Sequence, residues 1–149
     1  MKKAYFAAGC FWHVQEAFDA IKGVDTRVGF AGGYKSNPTY EEVCLGKTGH
    51  AETVEVEYDE KTITYKDLLK KFFHIHDPTQ KNRQGFDIGS QYRSAIFYTD
   101  KEQKETAEKF MKVEQTRHEK EIATELSPFN NFYPAEDYHQ KYFKKKQVC

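Results

Sequence analysis

Gly9-Cys10-Phe11-Trp12 places a cysteine between a short apolar run and a helical pattern. The apolar run, residues 5–8, predicts a buried strand, and apolar residues spaced by three and four over residues 11–22 predict a helix. We therefore expect Cys10 at a strand-to-helix turn, where free N–H groups and the helix dipole favour an anion. This position predicts a thiol pKa below the ordinary value of about 8.5. A buried, inert cysteine is the alternative.

The composition limits the class of protein. The chain has 149 residues, which fit a single domain over 1–149. Lys+Arg and Asp+Glu are both 23, and this neutral balance argues against a nucleic-acid partner. No apolar run is long enough for a membrane span, and the apolar part of the N-terminus is too short for a signal peptide. The three cysteines are far apart and form no CxxC pair, which favours a reducing, cytoplasmic compartment.

Strands and helices do not alternate strictly along the chain. Strands are predicted over 3–8, 25–31, 54–58, 92–98 and 121–126, and the strand at 54–58 alternates as if half-buried. Two capping boxes, Thr64 with Asp67 and Thr99 with Glu102, open helices that end before Asp77 and near His118. Residues 78–91 are predicted as a long polar loop. The predicted fold class is α+β, a two-layer mixed sheet with packed helices resembling a ferredoxin-like plait, followed by a long irregular C-terminal segment.

Other residues can carry chemistry. Glu52 begins a strand, where burial would raise its pKa and make it a proton donor, although an exposed strand-edge glutamate fits the pattern too. Tyr40 and Tyr92 lie near turns, and their hydroxyls either reach solvent or donate to a ligand. His74 and His76 lack the i,i+4 spacing of helical metal ligands, so we predict no metal.

The two remaining cysteines differ in context. Cys149 ends a Lys-rich segment, residues 140–149, that we predict to be a mobile tail. Such a tail can bring Cys149 to Cys10, provided the Cα atoms come within about 7 Å. An inert tail thiol is the alternative. Cys44 is predicted to be a buried structural thiol beside Leu45.

Eight motifs occur along the chain in a fixed order. They are Gly9-Cys10-Phe11-Trp12, Gly32-Gly33, Asn37-Pro38-Thr39-Tyr40, Glu42-Val43-Cys44, Thr48-Gly49-His50-Ala51-Glu52, His76-Asp77-Pro78-Thr79-Gln80 with Arg83-Gln84-Gly85-x-Asp87, Gln91-Tyr92-Arg93-Ser94, and Ala135-Glu136-Asp137-Tyr138-His139-Gln140. This ordered set closely resembles the A-type peptide methionine sulfoxide reductases from about residue 5 to residue 143. The chain differs from the common pattern of that family at His13, Gln15 and Phe30.

The resemblance implies an oxidoreductase that reduces the S epimer of methionine sulfoxide, free or in proteins, and so repairs oxidised proteins. Cys10 matches the nucleophile and Glu52 the proton donor. Tyr40 and Tyr92 match the hydroxyls that hold the sulfoxide oxygen, and Cys149 matches a resolving cysteine.

The resemblance also implies a substrate pocket and a recycling route. Phe11 and Trp12 match the apolar pocket for the substrate methyl group, and Asp87 matches an acid that binds substrate through water. We place His50 in the same substrate-binding set. Cys10 is expected to form a sulfenic acid and then an intramolecular disulfide, which thioredoxin reduces. The protein is expected to be a monomer that needs no cofactor and binds neither nucleic acid nor membrane.

Two other classes of function compete with this interpretation. A cysteine hydrolase would use His50 or His139 as the base for Cys10 and would consume no reductant. A non-catalytic module with an aromatic pocket would bind Met-containing peptides and leave the sulfoxide unchanged.

Overall fold

A computed structural model describes residues 1–143. Within these residues, eight strands and four helices follow one another, with 3₁₀ turns at Ser90–Tyr92 and Asp137–His139. The strands are β1 (Lys2–Ala8), β2 (Val24–Ala31), β3 (Ala51–Tyr58), β4 (Arg83–Gln84), β5 (Asp87–Ile88), β6 (Ser94–Tyr98), β7 (Glu125–Pro128) and β8 (Phe132–Pro134). The helices are α1 (Phe11–Asp19), α2 (Tyr40–Cys44), α3 (Tyr65–His74) and α4 (Lys101–Gln115). None of these helices is long and apolar enough to cross a membrane.

Six strands form one mixed sheet in the order β7-β6-β1-β3-β2-β8. Only the β6–β7 pair is parallel within the described chain, and the other neighbours are antiparallel. The short strands β4 and β5 form a separate hairpin. The predicted α+β class, a mixed sheet with packed helices, is confirmed.

The two faces of the sheet are covered differently. On one face, a large core joins Phe6 and Val54 to Phe18 of α1 and Phe72 of α3. On the other face, a smaller cluster of sheet residues packs against Phe129 and Phe132 of the C-terminal segment. The segment predicted to be irregular therefore closes the second face of the sheet.

Burial on both faces corrects the expectation for β3. The strand was predicted to be half-buried, but Glu55 on its polar side is buried as well. Its carboxylate accepts hydrogen bonds from the Tyr5 hydroxyl at 2.8 Å and from Arg27 Nε at 3.0 Å. The alternation was predicted correctly, but local sequence does not reveal what covers the polar face.

Several predicted boundaries were wrong. α1 ends at Asp19, not at residue 22, because the amide of Ile21 bonds back to Phe18 in a tighter turn. The N-cap of α4 is Asp100, whose carboxylate accepts from the Gln103 amide at 2.7 Å, and not Thr99. Asp and Thr are both good caps, and the acceptor directly before the first helical residue makes the bond.

Two regions without predicted strands contain them. They are the polar loop 78–91, which includes the β4–β5 hairpin, and the irregular C-terminal segment, which includes β8. The last predicted strand, 121–126, lies at Glu125–Pro128. β8 was missed because it is short and ends in Pro134. Proline is tolerated here because β8 is an edge strand, which does not need every amide for a ladder.

Candidate active site

Cys10 occupies the predicted turn. It is the N-cap residue of α1, and its carbonyl oxygen accepts from the amides of His13 at 3.2 Å and Val14 at 3.3 Å. Gly9 has a φ of 100°, and a Cβ there would lie 3.0 Å from the Cβ of Gln84. Glycine is therefore required both by the turn and by the close approach of the β4–β5 hairpin.

The predicted low pKa of Cys10 is wrong for the protein without substrate. Burial raises the pKa of this thiol to about 11. The amides of Trp12 and His13 lower it, but the carboxylates of Glu52 and Asp87 raise it further. The amides of the helix N-terminus lower the pKa of Cys10, but burial and the two nearby acids raise it by more.

Glu52 lies on the face of β3 that meets α1. It is 2% exposed and is the sheet partner of Phe30. Its Oε1 accepts from the Phe11 amide at 3.2 Å, while its buried Oε2 has no hydrogen-bond partner among the described residues. Burial raises the pKa of Glu52 to about 7, the Phe11 amide lowers it, and the charge of Asp87 raises it. Glu52 is thus a carboxyl that holds a proton near neutral pH and has one uncommitted oxygen.

The two tyrosines lie around these groups. Tyr40 is the first residue of α2, a helix opened by a capping box between Thr39 and Glu42. Tyr92 ends the 3₁₀ turn before β6. Burial raises the pKa of both phenols, and the nearby charge of Glu52 adds to the effect. Both hydroxyls therefore stay protonated and can act as donors.

Cys44 is a part of this site that the sequence analysis placed elsewhere. It was expected to be a buried structural thiol, but it is partly exposed, and Leu45 next to it is 68% exposed. The Tyr40 and Cys44 side chains are close enough for each to shift the pKa of the other. Burial and the charge of Glu52 raise the pKa of Cys44, which shows that the two side chains are close.

An aromatic wall adjoins Cys10, and His139 organises it. The Trp12 indole donates from Nε1 to His139 Nδ1 at 3.1 Å. The His139 ring is 2% exposed and packs 4.2 Å from the Tyr40 ring and 5.6 Å from the Phe11 ring, between centroids. Sequence analysis considered His139 only as a hydrolase base, because its 127-residue separation from Trp12 leaves no local signal of this contact.

Residues 140–143, at the start of the predicted mobile tail, contact the folded part of the chain. The Gln140 side chain bonds the Val28 amide and carbonyl, both at 2.8 Å, and the Ala135 carbonyl at 2.9 Å. Lys141 Nζ bonds Asp19 at 2.9 Å, and Tyr142 stacks on the Trp12 ring at 3.9 Å. The predicted resolving cysteine, Cys149, lies outside the described residues.

Asp87 reaches the site on the β4–β5 hairpin. Gln84, opposite Asp87 in that hairpin, exchanges two hydrogen bonds of 2.9 Å with the backbone of Asp77. Asp87 is exposed, and its charge raises the pKa values of Cys10 and Glu52. This places it at the open side of the same cluster.

Both nitrogens of His50 are engaged. Nδ1 accepts from the Gly33 amide at 3.0 Å, so Nε2 carries the proton and donates to the Lys35 carbonyl at 2.7 Å. A Cβ on Gly33 would lie 2.3 Å from the His50 amide nitrogen, so glycine is required for this contact. His50 therefore fixes the loop that follows β2.

His76, from the His74–His76 pair considered as metal ligands, bonds other groups of the protein. His76 bonds the Phe72 carbonyl and the Ser94 hydroxyl, both at 2.7 Å. Residues 1–143 contain no cluster of three or more histidine, cysteine or acidic side chains suited to a metal ion.

Comparison with known proteins matches this arrangement to one family. The family model described as peptide methionine sulfoxide reductase matches residues 2–148. The peptide methionine sulfoxide reductase MsrA of Nautilia profundicola is 56% identical over 147 residues, covering 97% of this chain and 84% of the relative. The chain belongs to the peptide methionine sulfoxide reductase family. The reductase is accordingly an oxidoreductase.

Solved structures agree with the fold of the reductase. Mxr1 from Saccharomyces cerevisiae in reduced form has a TM-score of 0.94 and 37% identity, covering 99% of this chain and 87% of that one. Methionine sulfoxide reductase A of Corynebacterium diphtheriae has a TM-score of 0.88 and 40% identity, covering 99% and 76%. Mxr1 in complex with Trx2 has a TM-score of 0.68 and 28% identity, covering 95% and 84%.

Proposed function

We propose that the protein reduces the S epimer of methionine sulfoxide, free or within proteins, and so repairs oxidised proteins. The observation that carries this proposal is Glu52, a buried carboxyl with a pKa of about 7 and an unpartnered Oε2. A sulfoxide sulfur is a poor electrophile until its oxygen gains a proton. A carboxyl that is still protonated near neutral pH, and that lies beside the helix carrying Cys10, can supply it.

The chemistry proposed for Cys10 starts from a thiol. Proton donation by Glu52 to the sulfoxide oxygen leaves Glu52 as a carboxylate and creates a positive charge on the substrate. The positive charge favours the thiolate of Cys10, and the Glu52 carboxylate accepts the proton that the thiol gives up. The sulfur of Cys10 attacks the substrate sulfur, methionine leaves, and the oxygen stays on Cys10 as a sulfenic acid. Cys10 loses the two electrons that the substrate gains.

The remaining site residues have binding roles in this proposal. Tyr40 and Tyr92 donate hydrogen bonds to the sulfoxide oxygen as charge develops on it. Phe11 and Trp12 enclose the methyl group, and Asp87 binds the polar part of the substrate through water. For His50 we propose a positioning role, since both of its ring nitrogens bond the backbone.

Recycling requires a second thiol. We propose that Cys149 condenses with the sulfenic acid, releasing water and forming a disulfide that thioredoxin reduces. The Mxr1–Trx2 complex supports thioredoxin as the partner. A monomer in the cytoplasm is consistent with this route, because that compartment keeps thiols reduced.

We also infer that the central part of the fold is a ferredoxin-like plait. Support comes from the order β1-α1-β2-β3-α3-β6 along the chain, with α2 inserted before β3, and from the sheet order β6-β1-β3-β2. All three neighbouring pairs in this group are antiparallel.

Glu52→Gln tests the proposal, because the amide keeps the shape of the side chain but cannot donate the proton. We expect turnover to fall by roughly 10²–10⁴-fold, measured as methionine formed from each sulfoxide epimer with dithiothreitol. Glu57→Gln on the same strand is the matched control and should retain full activity. Tyr40→Phe and Tyr92→Phe should each cause a smaller loss.

Four outcomes would contradict the assignment. Full activity in Glu52→Gln would remove Glu52 from the proton transfer, and methionine formation by Cys10→Ser would remove the nucleophile. Binding of sulfoxide without any product would favour the non-catalytic module. Hydrolytic product without a reductant would favour the hydrolase, for which the structure offers no histidine ring hydrogen-bonded to the Cys10 thiol within residues 1–143.

A further inference from the structure

A groove runs between α3 and α4, away from Cys10. Its volume is about 1010 Å³. It includes Ile21, which lies beyond the C-terminal end of α1, whereas Cys10 caps the N-terminal end. These two positions are separated by roughly 15 Å along the helix axis at 1.5 Å per residue. The groove is therefore distinct from the site described above.

The floor of the groove is apolar. It is formed by Ile21, Ile63, Phe73, Phe110 and Val113. The rings of Phe73 and Phe110 stack across the α3–α4 contact with centroids 5.6 Å apart. Val113 is 62% exposed and extends the apolar surface along α4.

Basic side chains line both edges of this floor. On α3 they are Lys66, Lys70, Lys71 and His74, and on α4 they are Lys109 and Arg117. Lys66, Lys70 and His74 recur every four residues and form one row. Lys109 and Arg117 flank Val113 in a second row on α4. The whole chain has a net charge of zero, so these rows are a local concentration of positive charge.

The acidic residues of the groove neutralise only part of these rows. Glu114 lies 4.0 Å from Arg117 Nη1, and the charges of Lys70 and Lys66 act on Asp67. Asp67 belongs to the capping box of α3 and accepts from the amide and hydroxyl of Thr64. Glu114 accepts from His118 Nε2 at 2.8 Å. Among the described residues, the lysines of the groove make no salt bridge within 4 Å. The four lysines of the groove are thus available to an external partner.

We propose that this groove binds an acidic amphipathic segment of a partner protein. An apolar stripe on that segment would cover the Phe73–Phe110–Val113 floor, and carboxylates on its two flanks would meet the basic rows. α3 has ten residues and is about 15 Å long, which matches roughly three turns of a bound helix. A single lipid headgroup would need cations at one end only, whereas here they follow both edges.

A synthetic peptide tests the proposal. The probe is an amidated peptide of about 14 residues, with Leu at positions i, i+3, i+4 and i+7 and Glu on both flanks. Calorimetry with the full chain should show saturable binding that weakens as salt is added. The same peptide with Lys in place of Glu should not bind.

Matched variants locate the binding. Lys70→Glu combined with Lys109→Glu should weaken binding about tenfold or more, since two attractions become repulsions. Val113→Asp should weaken it as well. Lys101→Glu combined with Lys112→Glu, outside the groove on the same helix, should leave affinity unchanged. All of these variants should still form methionine from free methionine sulfoxide, which shows that they are folded and separates this test from that of the proposed function.

Other outcomes would overturn the proposal. Absence of peptide binding, equal binding of the Lys-containing peptide, or equal loss in both double variants would each do so. Vesicles containing an anionic phospholipid form a parallel arm. If the chain binds them through Lys70 and Lys109 and does not bind the peptide, the groove is a membrane contact instead.

Discussion

At the scale of single residues, Cys10 shows why position alone does not decide reactivity. The helix N-terminus supplies amides that favour a thiolate, but burial and the nearby carboxylates dominate and raise the pKa to about 11. A thiol at rest is consistent with the proposed chemistry, in which substrate binding and proton donation activate the sulfur. Such a thiol is also protected from oxidation when substrate is absent, because the thiolate is the form that oxidants attack.

We predict that Glu52→Gln makes Cys10 more acidic. The substitution removes a negative charge that raises the pKa of the thiol, so alkylation by iodoacetamide between pH 7 and 9 should become faster. The rate would be followed at the Cys10 peptide by mass spectrometry. Glu41→Gln is a control, because Glu41 acts on Cys44 and not on Cys10. Slower or unchanged alkylation in Glu52→Gln would show that the carboxylate does not control this thiol.

At the scale of elements, strand β3 carries two buried glutamates with opposite electrostatics. Burial raises the pKa of Glu52. Burial also disfavours the charge of Glu55, but the hydrogen bonds from Arg27 and Tyr5 outweigh it and lower the pKa of that carboxyl. The strand thus contains one carboxylate stabilised by partners and one carboxyl kept ready to give up a proton. The burial of Glu52 reduces the stability of the fold at high pH, where this carboxyl is charged.

The sign of each effect follows from proton binding. The pKa of Glu52 is about 7 in the folded protein and about 4.5 in the unfolded chain, so stability is fully present below 4.5 and falls as pH rises to 7. Glu52→Gln should therefore be more stable than the natural chain at pH 8, by at most about 3 kcal/mol. For Glu55 the pKa is lowered, so its contribution is present above 4.5 and Glu55→Gln should lose stability at pH 8.

Urea unfolding of the two variants at pH 5 and pH 8 measures this difference. The gain in Glu52→Gln should shrink toward pH 5, where Glu52 is largely protonated in the folded protein. A loss of stability in Glu52→Gln at pH 8 would mean that the charged carboxylate has partners that offset its burial.

At the scale of the whole molecule, the C-terminal segment connects opposite parts of the fold. It forms β8 at the edge of the sheet, covers the second face with Phe129 and Phe132, and then crosses to Trp12. Phe143 packs 4.9 Å from the ring of His13, in the first turn of α1. Six residues separate positions 143 and 149, a reach of up to about 20 Å. We propose that this reach brings Cys149 to Cys10.

We predict a Cys10–Cys149 disulfide after one turnover without reductant, identified by peptide mapping. Cys149→Ser should convert one equivalent of sulfoxide, stop when thioredoxin is the reductant, and turn over with dithiothreitol. Cys44→Ser is the matched control and should recycle normally. Because Cys44 lies near Tyr40 and Glu52 inside the site, Cys44 is the competing partner. A Cys10–Cys44 disulfide would assign the resolving role to Cys44.

The sequence by itself determined the local features of this protein. Apolar periodicity predicted β1, β2 and the existence of α1, and the Thr64–Asp67 capping box opens α3 as predicted. The ordered motifs identified the family, and the glycine before Cys10 indicated the turn. These features depend on neighbours within a few residues, which is the range over which propensity and capping act.

Only the tertiary structure decided the environment of each group. Glu52 and Glu55 are three residues apart on one strand, yet one meets the backbone of α1 and the other meets Arg27. Cys44 enters the site through Tyr40, and Trp12 is held by His139 from the far end of the described chain. A pKa depends on burial and on charges brought together by the fold. For this reason the sequence could propose the catalytic residues, while their protonation states depended on the packing around them.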